Sequence, residues 1–213
     1  MADLQRMCQA LQEGEVDEVT ALVRQALDDG VDAETILNDA LLRGMDVVGE
    51  KFKVNEMFVP DVIFAARAMT AAMEVLQPIL TERGVEPVGR VIIGTVKGDL
   101  HDIGKNLVGM MLRGAGFTVI DLGNDVAPET FVEAAKKESA GKRCLVGMSA
   151  LLTTTMPRMA DVVEAVKQAK LAGVRTMIGG APVTQGYADE IGADGYAPDA
   201  ASAADLAKQL IGA

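Results

Sequence analysis

The segment GDLHDIGKN, residues 98–106, holds the only histidine of the chain. Asp99 stands two residues before His101 in a glycine-edged loop, close enough to accept a hydrogen bond from one ring nitrogen. Such a bond fixes the tautomer and leaves the other nitrogen as a lone-pair donor, the usual support of a metal-bound imidazole. One protein ligand does not hold a free metal ion, but it can hold a metal whose other positions a macrocycle fills. Gly98 and Gly104 edge the segment. They read either as a turn with close helix–sheet packing or as room for a large group at the backbone, and Gly179 and Gly180 carry the same two readings. The run SALLTTT at 149–155 puts four hydroxyls in seven residues. Capping and backbone bonding account for one or two of them, and the rest suit a polar lining for a ligand.

These residues need elements to hold them. Residues 1–84 carry helical periodicity throughout. One stripe runs Val16, Val19, Leu22, Val23, Ala26, Leu27. A second runs Ile36, Leu37, Ala40, Leu41, Met45, Val48, behind Asp32 as N-cap. A third runs Val62, Ala65, Ala66, Met69, Ala72, Met73, Leu76, Leu80, with Pro60 in its first turn. With the short segment 4–11 they predict a four-helix bundle. GVEPVG at 84–89 breaks the pattern and reads as a linker. Beyond it, β-branched runs alternate with helical patterns five times: RVIIGTV, FTVIDLG, RCLVGMS, VRTMIGG and a weak ADGYA. That alternation predicts a doubly wound, five-stranded parallel sheet, so the whole is α + α/β. The expected domains are a helical cap at 1–84, a linker at 85–89 and an α/β domain at 90–213. With strand order 2-1-3-4-5, His101, Ser149, Gly179 and Gly180 fall on one rim, where such sheets bind ligands.

Composition narrows the function. Apolar residues make up 49% of the chain but aromatics only 3%, so the core is aliphatic with 12 Met as filler. A net charge of −11 argues against nucleic acid as a partner. Cys8 and Cys144 lie far apart in no paired spacing, and two Cys with one His are too few for a zinc knuckle or a disulfide framework, so both read as free thiols of a reducing compartment. The N-terminus shows no signal-peptide pattern and no apolar run approaches membrane-spanning length, which predicts a cytoplasmic protein without a membrane partner.

The Asp-x-His-x-x-Gly pattern of Asp99, His101 and Gly104, the SALLTTT segment and the later GGAP turn together resemble cobalamin-binding domains. MDVVGEKFKVNEMFVPDVIFAARAM at 45–69 is similar to the helical cap that precedes this domain in methionine synthase and in the corrinoid proteins of methyltransferase systems. The resemblance implies a Rossmann/flavodoxin-like domain that binds cobalamin with its dimethylbenzimidazole tail off the cobalt. His101 is then the lower axial ligand. Asp99 bonds the far side of the imidazole, and a hydroxyl of Ser149 or Thr155 completes a relay; the alternative for Asp99, capping the next helix, suits Asp102 better. Ser149 and Thr153 match positions facing the tail, which threads between the 149–155 strand end and Gly179-Gly180. Gly98, Leu100, Asp102, Ile103, Gly104 and Leu151 complete the implied cofactor contacts. Phe52 and Val59 match capping side chains over the upper face, with bundle core as their other reading. Ligation by His101 is implied in methylcobalamin and its release in cob(I)alamin.

The implied function is a methyl carrier that is not catalytic on its own. It serves a substrate-specific methyltransferase and a second methyltransferase ending on tetrahydrofolate or a thiol, with a reductive activase as a further partner. Methylamine and O-demethylase systems are the favoured settings. A carbon-skeleton mutase subunit shares the motif but lacks a cap of this type, and a cobalamin-dependent sensor needs a DNA-binding segment. A receiver domain needs a phosphoacceptor aspartate where this chain has Ser149.

Overall fold

Stripes of Ala, Val, Leu and Met decide the first part of the fold, and short β-branched runs decide the second. A computed structural model of the chain describes residues 3–139 and 143–212. The chain divides into two units, Met1–Pro87 with Arg113–Gly116, and Val88–Leu112 with Phe117–Ala213.

The first unit is helical. α1 (Leu4–Glu13) starts where the Asp3 carboxylate accepts from the Arg6 N–H at 2.8 Å. α2 (Val16–Asp28) follows. The Asp32 carboxylate then caps α3 (Ala33–Ile36) through the Glu34 N–H. The single helix expected over Ile36 to Val48 is interrupted: a π-helical stretch, Leu37–Leu42, joins α3 to α4 (Arg43–Lys53). α5 (Val59–Glu82) carries Pro60 in its first turn, where a missing N–H costs nothing. It packs on α1, α2 and α4 through Val62, Ala65, Met69, Ala72 and Leu76.

One expectation is corrected in this unit. α5 has 24 residues and a stretch of mean hydropathy 1.3, so by length and composition it is long and apolar enough to cross a membrane. Part of that apolar character is packing surface, since Val62, Ala65, Met69, Ala72 and Leu76 are buried, while Val59 and Phe64 of the same helix are exposed.

The second unit is a five-stranded, all-parallel sheet of order β2-β1-β3-β4-β5. The strands are β1 (Arg90–Thr95), β2 (Thr118–Asp121), β3 (Cys144–Ser149), β4 (Val174–Gly179) and β5 (Gly195–Tyr196). The helices are α6 (Ile103–Gly114), α7 (Pro128–Ser139), α8 (Arg158–Gln168), α9 (Gln185–Ile191) and α10 (Ala200–Ile211). Ile92, Val146, Met148 and Ile178 share a core with Phe131 of α7 and Met159 and Val162 of α8. The alternate residues Val91, Ile93, Leu145 and Met177 are buried too, and α10 packs on β3, β4 and β5. Burial on both faces is why these strands read as continuous apolar runs. The helix expected over 156–172 is shorter because the chain still turns through Met156 and Pro157, and Lys170 adopts a left-handed φ of 49°. Cys8 and Cys144 are both free.

Candidate functional site

β1 ends at Thr95, and the chain then turns through Gly98 to reach α6. Within that turn Asp99 is completely buried while the His101 side chain is 52% exposed. The Asp99 Oδ1 lies 2.7 Å from His101 Nδ1 and also accepts from the His101 backbone N–H at 3.1 Å. Its Oδ2 accepts from the Thr155 hydroxyl at 2.6 Å, the Leu151 N–H at 2.8 Å and the Leu152 N–H at 3.3 Å. Burial pushes against a charge on this carboxyl, but the donors of Thr155, Leu151 and His101 outweigh it and hold the group well below the usual carboxylate range.

An ionised carboxylate only accepts, so Nδ1 must carry the proton. With the proton at Nδ1, the ring's other nitrogen, Nε2, is the position left for a lone pair, and it has no hydrogen-bond partner among the described residues. Among those residues no cluster of three His, Cys, Asp or Glu could hold an ion, so this imidazole is a single donor.

The surroundings suit a macrocycle. Leu100 and Ile103, on either side of His101 in the turn, are 70% and 80% exposed, and Leu151 and Leu152 are exposed beside the carboxylate they bond. A Cβ on Gly104 would meet nothing within 4 Å, which rules out tight packing as the reason for that glycine. Gly180 differs: a Cβ there would lie 1.9 Å from the Ala150 carbonyl oxygen, so backbone crowding demands glycine. An apolar rim with one imidazole nitrogen that has no partner among the described residues suits a macrocycle whose metal would take one further ligand.

The sequence left Ser149 and Thr155 open as the hydroxyl on Asp99. In the structure it is Thr155, because the turn after β3 brings the chain back over the carboxylate. Ser149 is half-buried at the end of β3, paired with Thr95 across the sheet and with Gly179 of β4. Thr153 is exposed in the following turn, and Asp102 is half-buried just ahead of α6. Phe52 and Val59 belong to the helical unit, where Phe52 is half-buried and Val59 exposed, so neither is simple bundle core.

Sequence reasoning passed over a buried lysine. Lys105, in the first turn of α6, places Nζ 2.7 and 2.6 Å from the two carboxylate oxygens of Asp121 and 2.7 Å from Asn106 Oδ1. A cation at a helix N-terminus opposes the macrodipole, and the Asp121 charge at the end of β2 offsets it. Lys105→Met is expected to destabilise the cofactor-free protein by ~1–3 kcal/mol, since Asp121 keeps some solvent when it loses its partner. An unchanged denaturation midpoint would show that the pair contributes nothing.

An α/β unit of this strand order with Asp-x-His-x-x-Gly after β1 defines a class, the cobalamin-binding proteins. Two family models, each described as a B12 binding domain, match at 89–205 and 3–77. Trimethylamine corrinoid protein 2 of Methanosarcina acetivorans is 47% identical over 190 residues, covering 88% of this chain and 86% of its own length. A solved cobalamin-binding protein from Desulfitobacterium hafniense has a TM-score of 0.81 at 31% identity, covering 99% of each chain. A chain of the methanol:cobalamin methyltransferase complex of Methanosarcina barkeri has a TM-score of 0.84 at 31% identity, covering 97% of this chain and 78% of that one. This chain belongs to the corrinoid proteins of methyltransferase systems, and its cofactor is cobalamin.

Proposed function

We propose that this chain is a methyl carrier that holds cobalamin with its tail off the cobalt and His101 as the lower axial ligand. The observation that carries the reading is the free Nε2 of an imidazole whose Nδ1 proton is fixed by a buried, ionised Asp99. Bound cobalamin supplies a cobalt that accepts a methyl group and gives it up. The protein's part is to aim Nε2, hold the Nδ1 proton against Asp99 Oδ1 and keep that carboxylate in place through Thr155. Leu100, Ile103, Leu151 and Gly104 are assigned to the ring, and Gly98, Ser149, Thr153, Gly179 and Gly180 to the tail. The helical cap at 1–84, joined by a linker at 85–89 to the cofactor domain at 90–213, is assigned the role of cover. Support comes from its exposed Val54, Phe58, Val59 and Phe64, with Phe52 beside them in sequence.

The partners that follow are a substrate-specific methyltransferase and a second one delivering to tetrahydrofolate or a thiol, with a reductive activase, all in the cytoplasm. Methylated amines are the favoured donor, on the support of the 47%-identical relative named for trimethylamine.

The test is the visible spectrum of the protein loaded anaerobically with methylcobalamin, beside His101→Ala. A histidine-ligated, tail-displaced spectrum is expected for the wild type and its loss for the variant. A tail still on cobalt in both proteins would remove His101 from the mechanism.

A further inference from the structure

The carboxylate network holds the side chain of Asp99 from the β3 side of the sheet. The backbone of the same turn is held from the β2 side, by a segment to which the resemblance assigns no role. After β2 the chain runs Leu122-Gly123-Asn124-Asp125 and lies alongside the end of β1. The Leu122 N–H donates to the Ile93 carbonyl at 2.8 Å, the Thr95 N–H to the Gly123 carbonyl at 3.0 Å and the Val126 N–H to the Thr95 carbonyl at 3.0 Å.

From that position three bonds reach the turn that bears His101. The Asp125 Oδ1 accepts from the Gly98 N–H at 2.7 Å. The Asp125 N–H donates to the Asp99 carbonyl at 3.0 Å. The Asn124 Nδ2 donates to the Leu100 carbonyl at 3.2 Å. A fourth bond comes from β1 itself, the Thr95 hydroxyl donating to the His101 carbonyl at 2.9 Å. Residues 98–101 are therefore each tied through their backbone. Asp125 does this at a φ of 54°, in the left-handed region that Asn and Asp tolerate better than other side-chain-bearing residues.

We infer that Asp125, assisted by Asn124, is a positioning residue for His101: it fixes the backbone of residues 98–100 so that Nε2 is presented before the cofactor arrives. The inference rests on the reading of His101 as axial ligand. Its physical content is preorganisation. A turn already ordered gives up little entropy on ligation, whereas a loose one must be ordered by the cobalt–nitrogen bond. The first side-chain tie is charge-assisted, and exposure of Asp125 moderates it.

Three variants separate the parts. Asp125→Ala removes the acceptor and strains the left-handed φ. Asp125→Gly removes the acceptor and relieves the φ. Asp125→Asn keeps an amide oxygen for the Gly98 N–H and tolerates the φ. Two measurements are made on each: amide hydrogen exchange of residues 98–101 in the cofactor-free protein, and the ratio of histidine-ligated to unligated methylcobalamin by visible spectrum. Ala and Gly variants are expected to exchange faster and to lower the ratio about threefold to tenfold, while Asn stays near wild type in both. Wild-type behaviour of the Ala and Gly variants, or an Asn variant as impaired as Ala, would overturn the inference. So would faster exchange with an unchanged ratio, which would leave Asp125 a local structural residue only. A wild-type spectrum without histidine ligation would instead sink the proposed function.

Discussion

Asp99→Asn is expected to cost the protein stability or its axial ligand, although the substitution is nearly isosteric. Every group on Asp99 arrives as a donor: His101 N–H and Nδ1–H at Oδ1, and Thr155 O–H, Leu151 N–H and Leu152 N–H at Oδ2. An asparagine has one acceptor oxygen and one NH2, so one side of this buried site must face donor to donor. With the NH2 at the δ1 position, the His101 ring can only accept there. Its proton then moves to Nε2 and the lone pair that would bind cobalt is lost. With the NH2 at the δ2 position, the Leu151 and Leu152 N–H groups lose their acceptor in the interior. Thr155 alone can turn to accept. The first orientation is expected to lower the histidine-ligated fraction by at least about tenfold, and the second to cost ~2–4 kcal/mol in the cofactor-free protein. Visible spectra and denaturant melts read the two effects separately. A variant with wild-type spectrum and wild-type midpoint would show that Asp99 neither selects the tautomer nor supports the turn.

What the sequence made legible was whatever depends on near neighbours. Asp99 and His101 are two residues apart in one loop, and their pairing needed no knowledge of the sheet. The strands were legible because burial on both faces writes itself as runs such as RVIIGT. Thr155 was harder, since its choice over Ser149 depends on how the chain turns after β3. Asn124 and Asp125 were out of reach for a different reason. They read as ordinary turn residues until β2 is placed next to β1, and only then do they touch residues 98–100. The π-helical stretch at Leu37–Leu42 left no trace in the spacing of apolar positions, because one extra residue in a turn still keeps Ile36, Leu41, Met45 and Val48 inside. The apolar length of α5 was passed over in the sequence because Arg67, Glu74 and the small alanines interrupt its strongly apolar residues, although the 24-residue helix is by length and composition long and apolar enough to cross a membrane.

Gly180→Ala and Gly104→Ala are expected to fail in opposite order, which separates the two reasons a binding rim uses glycine. At Gly180 the backbone has a φ of 130°, and a methyl group would stand 1.9 Å from the Ala150 carbonyl oxygen. Ala150 has little room to yield: it is fully buried and its N–H donates to the Gly179 carbonyl at 3.3 Å. The substitution should cost ~3 kcal/mol or more, a fall in melting temperature of roughly 6–12 °C for a chain of this size. Displacing Ala150 also displaces the next two residues, whose N–H groups hold Asp99, so cofactor binding should fall as a consequence of the damaged fold. At Gly104 a methyl group meets nothing, and the residue is exposed in the first turn of α6. There the change removes a helical glycine, and the cofactor-free protein should be unchanged or more stable by up to ~0.5 kcal/mol. Cobalamin affinity should nevertheless drop by about tenfold, because the methyl group occupies surface beside His101 that the ring would cover. Melting curves without cofactor and titrations with it decide the matter. A Gly104→Ala protein that binds cobalamin as the wild type does would move the corrin ring off this part of the rim. A Gly180→Ala protein with an unchanged melting temperature would mean that the β3 and β4 ends can part without disturbing the sheet, and that the glycine serves the ligand alone.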